Sequence, residues 1–148
     1  HVKDYLKNNL FLTWTTLTRD SSEVLNSQLN ATENKREVLS KMKNLIPQLK
    51  DILINNENIE KFGEIINNAW ELKRSLTNEI SHPLIDKYYN LGLSNGATGG
   101  KLLGAGGGGF ILFFVKKDSH NAFKLSLPNL QHYQFGFDKD GSKIIHSS

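Results

Sequence analysis

The sequence predicts an α+β domain, a small and mostly antiparallel sheet of about four strands covered by helices. Three observations point there. The segments run strand, helices, strand, helix, strand, strand, with short strands throughout. Apolar residues recur at three and four over two long stretches, the stripe of amphipathic helices. An Asp-Gly pair between two late apolar segments has the chemistry of a hairpin turn.

The elements follow in order. Leu10-Phe11-Leu12-Thr13-Trp14-Thr15-Thr16 is apolar, aromatic and β-branched, and predicts a strand. After a turn at Thr18-Arg19-Asp20, Ser21 or Ser22 is placed to cap a helix carrying Val24, Leu25, Gln28 and Leu29. Val38, Leu39, Met42, Leu45, Ile46, Leu49 and Leu53 mark a longer helix, with a kink or break expected at Pro47. Asn55 to Asn58 form a loop. Ile59, Phe62, Ile65, Ile66, Ala69, Trp70, Lys73 and Leu76 mark the next helix. Another begins where Ser81 or His82 caps and Pro83 opens the first turn, and it ends at Gly92 or Asn95-Gly96. Phe110-Ile111-Leu112-Phe113-Phe114-Val115 predicts a strand buried on both faces. Asp118-Ser119 opens a short helix that Pro128 closes. Tyr133, Phe135 and Phe137 alternate with polar or small neighbours as a half-buried strand does, and Asp140-Gly141 turns it into Lys143-Ile144-Ile145-His146.

Composition narrows the function. The 148 residues are 38% hydrophobic and 22% charged, as expected of one soluble folded domain over 1–148. No apolar run approaches the roughly 20 residues of a membrane-spanning helix, so no membrane partner and a cytoplasmic location are expected. There is no Cys, which removes disulfides and thiolate chemistry. The five His show no metal-ligand spacing, so no metal site is expected in this chain. The net charge of +3 comes from Lys and Arg interleaved with acids, as in Lys35-Arg36-Glu37, and no basic stripe for nucleic acid forms. The sequon Asn30-Ala31-Thr32 is read as chance.

The glycines are the unusual feature: nine of the twelve lie between Gly92 and Gly109. A Walker A loop is excluded, because Asn95 stands where its first Gly should be and Leu102 where its hydroxyl should be. Gly104, Gly106 and Gly109 match G-x-G-x-x-G, but the element that follows is the strand from Phe110 and not a helix, so the dinucleotide reading fails. What remains is a glycine loop leading into a strand. It is either a tight crossover or a concavity whose backbone N–H groups bind an anion, and its entropy cost favours the second.

Lys101-Leu102-Leu103-Gly104-Ala105-Gly106-Gly107-Gly108-Gly109-Phe110 resembles the third, glycine-rich motif of the GHMP small-molecule kinases. Trp70-Glu71-Leu72-Lys73 with Leu76, Ile80, Pro83, Asp86 and Tyr89 looks like the segment before that motif in the sugar-kinase branch. The wording Gly-Gly-Lys-Leu-Leu-Gly-Ala-Gly-Gly-Gly-Gly-Phe and the closing Phe135-Gly136-Phe137-Asp138 are similar to the heptose 7-phosphate kinases, and fucokinase-type enzymes share much of it. Leu103 stands where galactokinase- and mevalonate-like members carry Thr or Ser.

The resemblance implies a ferredoxin-like C-terminal domain of an ATP- and Mg2+-dependent kinase that phosphorylates a sugar phosphate. It also implies an N-terminal domain, absent here, that carries the ATP loop and the catalytic Asp. No catalytic residue is then expected in this chain, and the chain alone should be inactive. The loop residues Lys101, Gly104, Ala105, Gly106, Gly107, Gly108 and Gly109 would lie near phosphate and substrate, with N–H donors from Gly106 to Gly109. Arg19, between a strand and a helix start, is a candidate for the substrate phosphate, or else an ordinary surface ion pair. Trp70 and Tyr89 are read as core rather than sugar-stacking, and Asp86 as a family position or an ion pair. Gly107→Val in the full-length enzyme is expected to collapse activity while leaving folding largely intact. The alternative to a kinase is a non-catalytic module that binds an anionic metabolite.

Overall fold

A computed structural model describes residues 2–31, 35–55 and 58–144. Strands β1 (Leu10–Trp14), β2 (Ala97–Leu102), β3 (Phe110–Val115) and β4 (His132–Tyr133) form one antiparallel sheet in the order β2-β3-β1-β4. Six α-helices accompany them: α1 (Val2–Asn9), α2 (Ser21–Ala31), α3 (Arg36–Asn55), α4 (Phe62–Arg74), α5 (Pro83–Ser94) and α6 (His120–Ser126). The central pair, β1 and β3, runs in register from Leu10 opposite Phe114 to Trp14 opposite Phe110. This is the expected α+β class, with the strand order of a ferredoxin-like sheet.

Side chains alternate between two faces. On one, Ile111, Phe113 and Val115 meet Trp70, Ile80, Ile85, Tyr89 and Phe123 in the larger core. On the other, Leu10 and Phe114 meet Leu6 of α1 and Ile66 of α4. This second face is thinner. An apolar groove of about 420 Å³, lined by Leu6, Leu53, Phe62, Phe135 and Phe137 among others, runs along it.

Several elements depart from expectation. The helix α1 was not anticipated, and neither was β2, which occupies the first part of what reads as a glycine loop. The α3 helix is continuous through Pro47, so no break occurs there. The residue that caps α2 is Asp20: its carboxylate accepts from the Ser22 N–H at 2.9 Å and from the Ser22 hydroxyl, which also hold its pKa below the usual carboxylate range. His82 does cap α5, accepting from the Leu84 N–H, with Pro83 following. The late hairpin does not form within the described residues, since β4 is only two residues long and 134–144 carry no regular structure. A local turn remains there, with the Asp138 carboxylate accepting from the N–H groups of Asp140 and Gly141. Ile145, His146, the sequon's Thr32 and the middle of the expected loop at 56–57 lie outside the described residues.

Candidate functional site

The glycine loop joins β2 to β3 and is closed at its base by the Leu103 N–H donating to the Phe110 carbonyl at 2.8 Å. Gly104, Gly106, Gly107 and Gly109 have φ of 76, 132, 73 and 96°, values that L side chains resist. The loop is braced from four sides. Gly107 N–H donates to the Ile80 carbonyl and Gly109 N–H to the Leu17 carbonyl, both at 2.9 Å. The Gly109 carbonyl accepts from the Thr15 N–H at 3.0 Å and from the buried Thr15 hydroxyl at 2.7 Å. Gln28 of α2 donates to the Ala105 carbonyl at 2.9 Å, and the Lys73 ammonium of α4 donates to the Gly104 carbonyl.

This bracing revises which N–H groups can meet a ligand. Those of Gly107 and Gly109 are spent within the fold. Among the described residues, the N–H groups of Gly106 and Gly108 donate to nothing, as do those of Gly104 and Ala105. The expected row of four donors from Gly106 to Gly109 is therefore an alternating pair.

Local crowding explains why no side chain is tolerated at the centre. A Cβ at Gly106 would lie 2.8 Å from the Ile80 carbonyl oxygen, and one at Gly108 would lie 2.7 Å from that of Leu17. At Gly107 it would lie 2.6 Å from Cδ of Arg19. Gly107 is buried as well and its φ is positive, so a side chain there strains the backbone, and Gly107→Val is expected to lower stability as well as activity. The upstream glycines are packing devices. Gly92 makes room for the Phe113 ring, and Gly99 lies against the Gly63 carbonyl of α4.

Three cations surround the loop. Arg19 crosses Gly107 and donates to the Glu79 carbonyl at 3.4 Å, with Glu23 at 3.8 Å. Lys101, on β2 opposite Leu112, is half-buried. Lys73 was not singled out in the sequence because it falls within an apolar helical stripe. Its spacing after Trp70 was the available signal. Burial, and secondly the charge of Lys101, pull its pKa below the usual lysine value.

The remaining candidates have structural roles. Trp70 is fully buried, and the buried Tyr89 hydroxyl is shared between Asn67 and the Gly100 carbonyl, its pKa pushed up mainly by burial. Asp86 pairs with Arg74 at 3.3 Å and accepts from the Ser81 hydroxyl at 2.6 Å. Among the described residues no three His, Asp or Glu side chains gather as a metal site requires, and no helix is long and apolar enough to cross a membrane.

The fold and the braced loop can now be set beside known proteins. The family model for the C-terminal domain of GHMP kinases matches residues 36–129. The chain is a GHMP kinase C-terminal domain. This GHMP domain is 26% identical over 150 aligned residues to the D-glycero-α-D-manno-heptose 7-phosphate kinase of Campylobacter jejuni, covering 96% of the chain and 44% of that protein. It is 34% identical over 86 residues to the bifunctional fucokinase/GDP-fucose pyrophosphorylase of Arabidopsis thaliana, covering 58% of the chain and 8% of that protein. Its fold superposes on mevalonate kinase of L. major, crystallised with R-mevalonate, with a TM-score of 0.71 at 18% identity, covering 84% of the chain and 41% of that structure. The GHMP domain thus spans less than half the length of each of these relatives.

Proposed function

We propose that this chain is the substrate-side domain of an ATP-dependent sugar kinase, with a heptose 7-phosphate as acceptor, acting in the cytoplasm. The observation that carries the reading is the loop itself, held rigid by internal bonds while Gly106 and Gly108 keep N–H donors free. The similarity to the Campylobacter heptose kinase, which runs over nearly the whole chain, supports the acceptor.

Phosphoryl transfer needs positioning and charge stabilisation more than covalent help from the protein. The residues here fit that demand. Gly106 and Gly108 donate to phosphoryl oxygens without side-chain bulk in the way, and the bracing bonds fix their direction in advance. Arg19, whose side chain crosses Gly107, adds positive charge beside them. When bound, ATP supplies the transferred phosphoryl group and Mg2+ neutralises its developing charge. By resemblance to the GHMP kinases, the ligands of that ion, the ATP loop and the catalytic Asp would lie in an N-terminal domain completing the cleft.

The test is steady-state kinetics on the full-length protein with ATP and a panel of acceptors. Highest kcat/KM for the heptose 7-phosphate is expected. The Arabidopsis relative supports a second reading, and preference for fucose would establish it. No transfer to any sugar, with tight binding of an anionic metabolite, would leave the non-catalytic module.

A further inference from the structure

The two lysines at the shoulder of the loop are placed in a way the bracing does not explain. Lys73 lies in the last turn of α4, where a cation suits the negative end of the helix dipole, and its ammonium holds the Gly104 carbonyl. One N–H of three is thereby used. Lys101 lies on β2, the strand packed against α4, three residues before the Gly104 carbonyl that Lys73 holds, and its charge adds to the burial that lowers the Lys73 pKa. Both are half-buried, and among the described residues neither forms an ion pair. Neighbouring cations are handled differently: Arg74, one residue from Lys73, is paired with both Glu71 and Asp86, and Arg19 has Glu23. A helix cap or a loop strap accounts for Lys73 alone. Neither accounts for a second cation beside it that no acid neutralises among the described residues. Among the described residues, the N–H groups of Gly104 and Ala105, in the same turn, also donate to nothing.

We infer that Lys73 and Lys101 form a binding site for the oxyanion of a phosphate monoester at the Gly104 shoulder of the loop. The site is distinct from the Gly106 and Gly108 donors, so the protein presents two phosphate-binding positions on one loop. A kinase whose acceptor already carries a phosphate needs two such positions, one for the group in transfer and one for the group that stays. Only the source of the phosphate rests on the sugar-kinase reading; the site does not.

Inorganic phosphate tests the site first, by thermal melts of the full-length protein against chloride at equal ionic strength. The wild type is expected to show saturable stabilisation. Lys73→Met and Lys101→Met keep the aliphatic stems, and each should weaken the response about tenfold, with Lys73→Arg restoring most of it. No saturable response in the wild type overturns the proposal, whatever becomes of the kinase reading. So does an unchanged response in both Met variants, including the case where Lys73→Met lowers only the baseline Tm. Kinetics on the same variants then separate the sources. A KM raised for the sugar phosphate and unchanged for ATP assigns the phosphate that stays on the acceptor, and the reverse assigns the nucleotide. If both KM values stay unchanged in an enzyme that turns over, the site is overturned.

Discussion

At the scale of single residues, the loop shows that adjacent glycines can be required for different reasons. A Cβ at Gly106 would meet backbone, the Ile80 carbonyl oxygen at 2.8 Å and Cα at 2.9 Å, and backbone cannot step aside. At Gly107 the nearest obstacle is Cδ of Arg19, part of a flexible side chain. Both positions also carry the strain of positive φ. Gly106→Ala should therefore cost about 3 kcal/mol or more and Gly107→Ala about 1–2 kcal/mol. A double-mutant cycle separates the causes. Removing Arg19 should make Gly107→Ala cheaper by roughly 0.5–1 kcal/mol and leave the cost of Gly106→Ala unchanged. Urea denaturation of the three single and two double variants measures both, and equal coupling to Arg19 at the two positions would contradict this account.

At the scale of elements, β2 shows how tertiary contact overrides local signal. Ala97-Thr98-Gly99-Gly100-Lys101-Leu102 has no alternation of apolar and polar residues, and two glycines weaken any intrinsic strand preference. It is a strand because β3 pairs with it and α4 crosses it so closely that a Cβ on Gly99 would fall 1.8 Å from the Gly63 carbonyl oxygen. Gly99→Ala should push α4 from the sheet and cost about 3 kcal/mol or more, seen as a lowered Tm. The same reasoning says what could be read in advance. The stripes of α3 and α4, the cap at His82 and the run Phe110–Val115 were legible, because periodicity and capping act locally. Helix α1 was not, being short and charged and fixed by Leu6 and Tyr5 against the second face. The alternation Tyr133, Phe135, Phe137 was legible but misleading: Phe135 and Phe137 line the apolar groove and pair with no strand. In the site, the glycines and Arg19 were visible as types, whereas Lys73 was hidden by its helical stripe. Strand β4 carries its own pH signature. Burial and the charge of Lys124 hold the His132 imidazole below its usual pKa, with Thr13 bonded to Nδ1 at 2.9 Å. The unfolded chain takes up that proton first as pH falls through about 6.5, so this contribution is full above neutrality and declines below it. Tm measured from pH 8 to 5 should fall in the wild type more steeply than in His132→Gln.

At the scale of the whole molecule, the sheet divides the fold into two unequal halves, and the loop belongs to one of them. Ile80, fully buried in the larger core, also supplies the carbonyl that holds Gly107, while Thr15 and Leu17, just beyond β1, hold Gly109. Among the described residues, the smaller face, with Leu6, Leu10, Ile66 and Phe114 beside an open groove, has no hydrogen bond to the loop centre. Loop order should therefore follow the stability of the first face and not the second. Native-state amide exchange reads this directly, because protection reports the free energy of the opening that breaks each bond. The amides of Gly107 and Gly109 should exchange slowly, and those of Gly106 and Gly108, which donate to nothing, orders of magnitude faster. Ile80→Ala, a truncation worth about 2–5 kcal/mol, should erode protection at Gly107 by at least its global cost. Leu6→Ala should raise exchange across α1 and leave Gly107 nearly as protected as before. Equal loss at Gly107 from both truncations would mean that the two faces open together, and that the loop draws its rigidity from the whole domain rather than from the core beneath it.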